Sequence, residues 1–121
     1  MRIRNVLLAA LVMGTSAIQA REFTPDNTVV IDREITRETM VTIMASMEAL
    51  LVQDKAPSEL NIILNSPGGS VTAGLQFVGK MHDLQGRGTK LNCIVTGLAA
   101  SMAFHILTQC DTRIVMAESF L

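Results

Sequence analysis

An α/β fold built on a mostly parallel sheet is the class this sequence predicts, and three observations predict it. Short apolar runs rich in β-branched residues alternate with longer stretches of helical periodicity, which is the signature of strands joined by crossover helices. Gly-rich or small-residue junctions follow two of the strand candidates. The chain has 121 residues, 49% of them hydrophobic and 17% charged, enough for one domain and too apolar for disorder.

The elements follow in order. Thr28 to Ile31 is a short strand. Thr36 can cap a helix with Glu38 in its first turn and Ile35 placed to staple against Met40. Met40, Ile43, Met44, Met47, Leu50 and Leu51 recur at i, i+3, i+4, i+7 and form its buried face, a Met-rich stripe read as core packing, and Ala56-Pro57 ends the element. Leu60 to Leu64 is a buried strand. Val71 to Leu84 is a second helix with Val71, Leu75, Val78 and Met81 inward, broken by Gly86 to Gly88. Leu91 to Thr96 is a third strand, Ala99 to Gln109 a third helix, and Arg113 to Ala117 a fourth strand. No repeat, linker or low-complexity segment interrupts this order.

The first twenty residues stand apart. Arg2 and Arg4 precede an uncharged apolar run, Val6 to Ala17, which closes on the small residues Ser16, Ala17 and Ala20. This is the three-part pattern of a secretory signal peptide, with cleavage after Ala20 or Ala17. The run is shorter than the roughly 20 apolar residues of a membrane span, so an uncleaved anchor is the weaker reading. Without Arg2 and Arg4 the 10 basic residues fall to 8 against 11 acidic ones, a net charge of −3. That balance lacks the basic run a nucleic-acid binder needs, and 3% aromatics with no Trp or Tyr offers no base-stacking platform.

Two junctions carry chemistry. At Asn65-Ser66-Pro67-Gly68-Gly69-Ser70 a buried strand passes into a helix. Consecutive glycines there admit positive φ and let another molecule approach the peptide N–H groups, which suits an anion or a developing oxyanion. The plainer reading is a tight turn with Ser70 as helix cap. The segment does not match the phosphate-cradling GxxxxGK[ST] string. At Gly97-Leu98-Ala99-Ala100-Ser101-Met102 a second strand enters a helix through small residues, which places Ser101 at the carboxyl edge of the sheet, where open parallel sheets bind ligands. Taken alone Ser101 is a helix cap; beside the first junction it becomes a candidate nucleophile on a turn of the nucleophile-elbow kind, without the GxSxG string.

From Ile62 to Leu121, about half the chain, IILNSPGGSVTAG followed by CIVTGLAASMAFHILTQCDTRIVMAESF resembles the Clp protease proteolytic subunit family (ClpP), serine peptidases of the ClpP/crotonase-like fold. The pairing of NSPGG with GxAASM is specific, although the segment between the motifs is a few residues longer than in typical members. The resemblance implies repeated ββα/βαβ units, incomplete at the C-terminus, with residues 21–121 as the N-terminal part of the peptidase domain. It implies Ser101 as nucleophile, the N–H groups of Gly69 and Met102 as oxyanion hole, and Gly68 and Ser70 as substrate-binding positions. Peptide or protein substrates and a homo-oligomeric ring are the implied partners; no cofactor, metal, nucleic acid or stable membrane span is expected. Related peptidases of the fold, including signal peptide peptidase A, use a lysine base.

In the family the catalytic His follows the serine by about 25 residues and the Asp lies further on, whereas this chain ends 20 residues after Ser101. The expectation is therefore an exported peptidase whose base lies outside this stretch, with a catalytically inactive scaffold or binding protein of the same fold as the alternative and an acyl-CoA enzyme a weaker third reading. His105 shares a helix face with Ser101, and His82 adjoins Asp83, but neither reads as the base; Lys80 and Lys90 read as surface charges. Cys93 and Cys110 read first as buried inert thiols. A disulfide stays open, because a helix packed back on its strand brings the two together and export would permit the bond.

Overall fold

The computed structural model describes residues 23–121, so the leader read at residues 1–20 lies outside the described residues. Four parallel strands form one sheet in the order β1-β2-β3-β4: β1 (Thr28–Ile31), β2 (Glu59–Ser66), β3 (Lys90–Ala99) and β4 (Thr112–Val115). Each consecutive pair is joined by one helix, α1 (Arg37–Leu51), α2 (Val71–Gly86) or α3 (Met102–Thr108). Each strand pairs with its successor in the chain. Crossovers of one hand then step across the sheet in one direction and set every helix on the same face. Neighbouring helices pack against each other accordingly, α1 on α2 and α2 on α3.

The helix-covered face holds the core. Val29 and Ile31 of β1, Leu60, Ile62 and Leu64 of β2, and Leu91, Cys93 and Val95 of β3 are buried there against Met40 and Met47 of α1, Phe77 and Met81 of α2, and Ala103 and Ile106 of α3. On the opposite face the register aligns Thr28, Asn61, Asn92 and Thr112 in one row across all four strands. Their side chains form a hydrogen-bonded ladder. Asn92 Nδ2 donates to Asn61 Oδ1 (3.2 Å) and to Glu59 Oε1 (2.8 Å), Thr112 Oγ1 donates to Asn92 Oδ1, and Asn61 Nδ2 donates to Asn27 Oδ1 (3.3 Å). These bonds let two buried asparagines sit in a parallel sheet without an orphaned amide.

Helix α1 starts as expected. Thr36 Oγ1 accepts the Thr39 N–H (3.1 Å) while Thr39 Oγ1 accepts the Thr36 N–H (2.9 Å), a reciprocal capping box. It ends at Leu51, earlier than Ala56-Pro57. Helix α2 differs from expectation in its face: Val71 and Leu75 are exposed, and Ala73, Gly74, Phe77, Val78, Met81 and Leu84 are buried. Both stripes contain Val78 and Met81, so periodicity does not choose between them. Packing does, because α2 turns Gly74 onto α3, where a Cβ would stand 2.2 Å from Met102 Cγ. A glycine contributes nothing to a hydropathy stripe, and the true face was hidden for that reason.

The third helix begins three residues later than expected. Pairing holds Gly97 to Ala99 extended: Ser66 aligns with Ala99, the Ala99 N–H donates to Phe120 O (2.8 Å), and the Phe120 N–H donates to Gly97 O (2.7 Å). The fourth strand is Thr112–Val115 where Arg113 to Ala117 was expected. Helices α1 and α2 are tied by charge, with Glu48 accepting hydrogen bonds from both Lys80 and Arg87 and Arg87 also bonding Asp83. Lys80, expected as a surface charge, is half-buried and paired with Glu48. Among the described residues no helix is long and apolar enough to cross a membrane.

Candidate active site

The sheet brings the two Gly-containing junctions together at its carboxyl edge. At the first, the β2–β3 register slips between Leu64 and Ser66, and the chain leaves the sheet through Pro67. Ser66, fully buried, serves both junctions. Its Oγ accepts the Gly68 N–H (3.1 Å), and its carbonyl accepts the Ala100 N–H (3.1 Å) from the second junction. Ile35 holds the other side of the loop, its N–H donating to Gly68 O (2.8 Å) and its carbonyl accepting the Ser70 N–H (2.8 Å). Two conformations then demand glycine. Gly68 has φ +99°, and a Cβ there would lie 2.7 Å from Ala100 O; Gly69 has φ +148°, and a Cβ there would lie 2.3 Å from Ile35 O. Ser70 caps α2 through its Oγ, which accepts the Ala73 N–H (3.1 Å).

At the second junction Ser101 has φ 55° and ψ −123°, a region that a residue with a side chain occupies only under constraint. Ser101 is exposed, and its side chain makes no capping bond to α3. Ser101 thus holds the N-cap position of α3, as the plainer reading had it, but its hydroxyl does no capping. The two junctions touch: a Cβ built on Gly68 would fall 2.8 Å from Ser101 Cβ and 3.0 Å from the Met102 nitrogen. Among the described residues neither the Gly69 nor the Met102 N–H finds an acceptor. An exposed hydroxyl on a strained strand-to-helix turn, beside two uncommitted backbone donors, is an arrangement suited to acyl transfer.

No side chain among the described residues hydrogen-bonds Ser101 Oγ. His105 donates only its backbone N–H to Ser101 O (3.2 Å), and His82 Nε2 pairs with Gln109 Oε1 (2.8 Å) at the far end of α3. Lys80 is held by Glu48, and Lys90 is exposed at the start of β3. A groove of about 700 Å³ runs between β1 and α1, lined by Val30, Thr39 and Ile43 among others; no residue of either junction lines it. Among the described residues no group of His, Cys, Asp and Glu could hold a metal ion. Two positions that build the site were not read as part of it from the sequence: Ile35, read only as a helix staple, and Ser66. Ser66 sits inside the NSPGG string, and that was the available signal.

Cys93 and Cys110, read first as inert thiols, are joined by a disulfide across a Cα–Cα distance of 5.9 Å. The bond ties β3 to the residue that follows α3 and its C-cap. The open possibility was thus the realised one, because α3 runs back along the strand it follows.

Fold and site together define an open α/β domain with a serine on a constrained strand-to-helix turn. The chain belongs to the Clp protease family, whose model matches residues 14–120. It is 39% identical over 77 residues to an ATP-dependent Clp protease proteolytic subunit of Leuconostoc citreum, covering 64% of this chain and 36% of that protein. It is 35% identical over 83 residues to an ATP-dependent Clp protease proteolytic subunit 2 of Chlamydia trachomatis, covering 69% of this chain and 39% of that protein. The chain thus spans well under half the length of the curated relatives it matches.

Proposed function

We propose that this chain carries the nucleophile and oxyanion hole of an exported serine endopeptidase that cleaves peptide or protein substrates within a homo-oligomeric ring. Ser101 Oγ attacks the substrate carbonyl carbon and passes its proton to a base located beyond the described residues. The carbonyl oxygen becomes an oxyanion held by the Gly69 and Met102 N–H groups. Collapse of the tetrahedral intermediate expels the amine, which takes up the proton, and water then hydrolyses the acyl-serine ester. Gly68 and Ser70 border the substrate's path past the oxyanion hole. The observation that carries this reading is the constrained Ser101 backbone beside two N–H donors that no described acceptor uses. Export is supported by the leader-like first twenty residues and by the disulfide, a bond that persists in oxidising compartments.

A fluorophosphonate probe applied to the full-length protein tests the reading. Covalent labelling that maps to Ser101 and vanishes in Ser101→Ala is the expected result. Absence of labelling in the full-length protein overturns it and leaves the non-catalytic scaffold of the same fold.

A further inference from the structure

We propose that the Cys93–Cys110 disulfide is a redox-dependent clamp on the Ser101 turn, so that the turn holds its constrained shape only when the bond is made. The cysteines are 17 positions apart, and Ser101 lies near the middle of the span. The closed loop contains most of β3, from Cys93 to Ala99, the turn and α3; β1, α1, β2 and α2 all lie outside it. The clamp therefore acts on the turn more than on the rest of the fold.

The turn needs such support. Ser101 and Glu118 are the non-glycine residues with positive φ among those described, and a residue so placed relaxes once its flanks are free to move. One flank is pinned where the Ala100 N–H meets Ser66 O. The other is α3, seven residues long and too short to persist on its own hydrogen bonds. It stays in place through the burial of Met102, Ala103, Ile106 and Leu107 and through the covalent tie at its far end. Both cysteines are buried, Cys93 completely and Cys110 to 95%, so an external reductant reaches the bond only through opening of this segment.

The chemistry is a two-electron thiol–disulfide exchange. A thiolate of a reducing dithiol attacks one cysteine sulfur, the Sγ–Sγ bond breaks, and a mixed disulfide forms. The dithiol's second sulfur displaces the protein's, leaving Cys93 and Cys110 as thiols and the reductant as a disulfide. An oxidising dithiol-disulfide reverses the sequence. The consequence for activity rests on the reading of Ser101 as nucleophile: in a reducing compartment the turn would relax, and the site would form only after export.

Amide hydrogen exchange by mass spectrometry tests the clamp on the full-length protein in three forms: oxidised, reduced with dithiothreitol, and carrying Cys93→Ala with Cys110→Ala. Alkylation of the oxidised form should find no free thiol at either cysteine. In the reduced and double-alanine forms, exchange across residues 96–108 should accelerate on the order of tenfold or more, with peptides of β1 and β2 unchanged. Free thiols in protein isolated from an oxidising compartment overturn the proposal. So does an equal acceleration in every peptide, which would mark a global staple, and so does no acceleration anywhere. The readout is the backbone of the turn and not its reactivity, so a failed fluorophosphonate experiment leaves this result intact.

Discussion

Replacing Ser101 by glycine should make the protein more stable while abolishing the proposed chemistry. At φ 55° and ψ −123° the serine backbone lies outside the broad α and β regions, a placement that costs about 1–3 kcal/mol for a residue with a Cβ. Glycine removes that cost and adds about 0.5–1 kcal/mol of its own by enlarging the conformational freedom of the unfolded chain. The Ser101 side chain is exposed and caps nothing, so little packing is lost. The net expectation is a gain of about 1 kcal/mol, and at most about 2.5 kcal/mol. For a folded unit of this size each kcal/mol corresponds to roughly 4–8 °C in Tm. Ser101→Ala is the control, because alanine keeps the Cβ and hence the cost; its stability should match the wild type. Urea unfolding followed by far-UV circular dichroism, with the three proteins at equal concentration and fully oxidised, measures the differences. If Ser101→Gly is no more stable than Ser101→Ala, the turn is not strained, and the argument from its backbone fails.

Gly69→Ala should lose on the order of 3 kcal/mol in the same urea assay, because the new Cβ would meet Ile35 O at 2.3 Å and backbone cannot yield as a flexible side chain does. Gly79 lies exposed in the interior of α2 with nothing within 4 Å of a would-be Cβ, so Gly79→Ala should stabilise by about 0.5–1 kcal/mol through helix propensity. The Glu48 carboxyl is held down to about 2 from 4.5 by its hydrogen bonds to Arg87 and then Lys80. Its folded value is depressed, so the stability it contributes is complete above pH 4.5 and is lost as pH falls toward 2. Glu48→Gln should flatten the acid side of a thermal-stability profile in that window. Added salt should narrow the gap between variant and wild type, since Glu48 and Arg87 are solvent-exposed.

Much of the fold was legible because the chain pairs its strands in sequence. With β1 to β4 adjacent in order, each apolar run and each helical stripe reports on a local neighbourhood, and the Thr36 and Ser70 caps sit where their hydroxyls suggested. What was not legible depended on contacts between elements. The buried face of α2 is set by Gly74 against Met102, and a residue without a side chain leaves no hydropathic trace. The polar row of Asn61 and Asn92 is satisfied through partners on other strands, which single-strand patterning does not reveal. The extension of β3 to Ala99 depends on Ser66 and Phe120, 33 residues before and 21 after it, beyond the reach of any local window.

The candidate site shows the same division. The two junctions and Ser101 were identifiable because small residues between a strand and a helix permit few backbone paths, while Met102 and the pairing of its N–H with that of Gly69 came from the family resemblance. The junctions' convergence on one edge followed from the two strands being parallel; the close contact did not, since it depends on the slip at Leu64 to Ser66, which carries Gly68 across to the Met102 nitrogen. Ser66 is where the two parts join. A buried hydroxyl in a strand would ordinarily cost stability unless bonded, and here its Oγ takes the Gly68 N–H while its carbonyl takes the Ala100 N–H. One residue therefore anchors both turns, its hydroxyl to one and its carbonyl to the other.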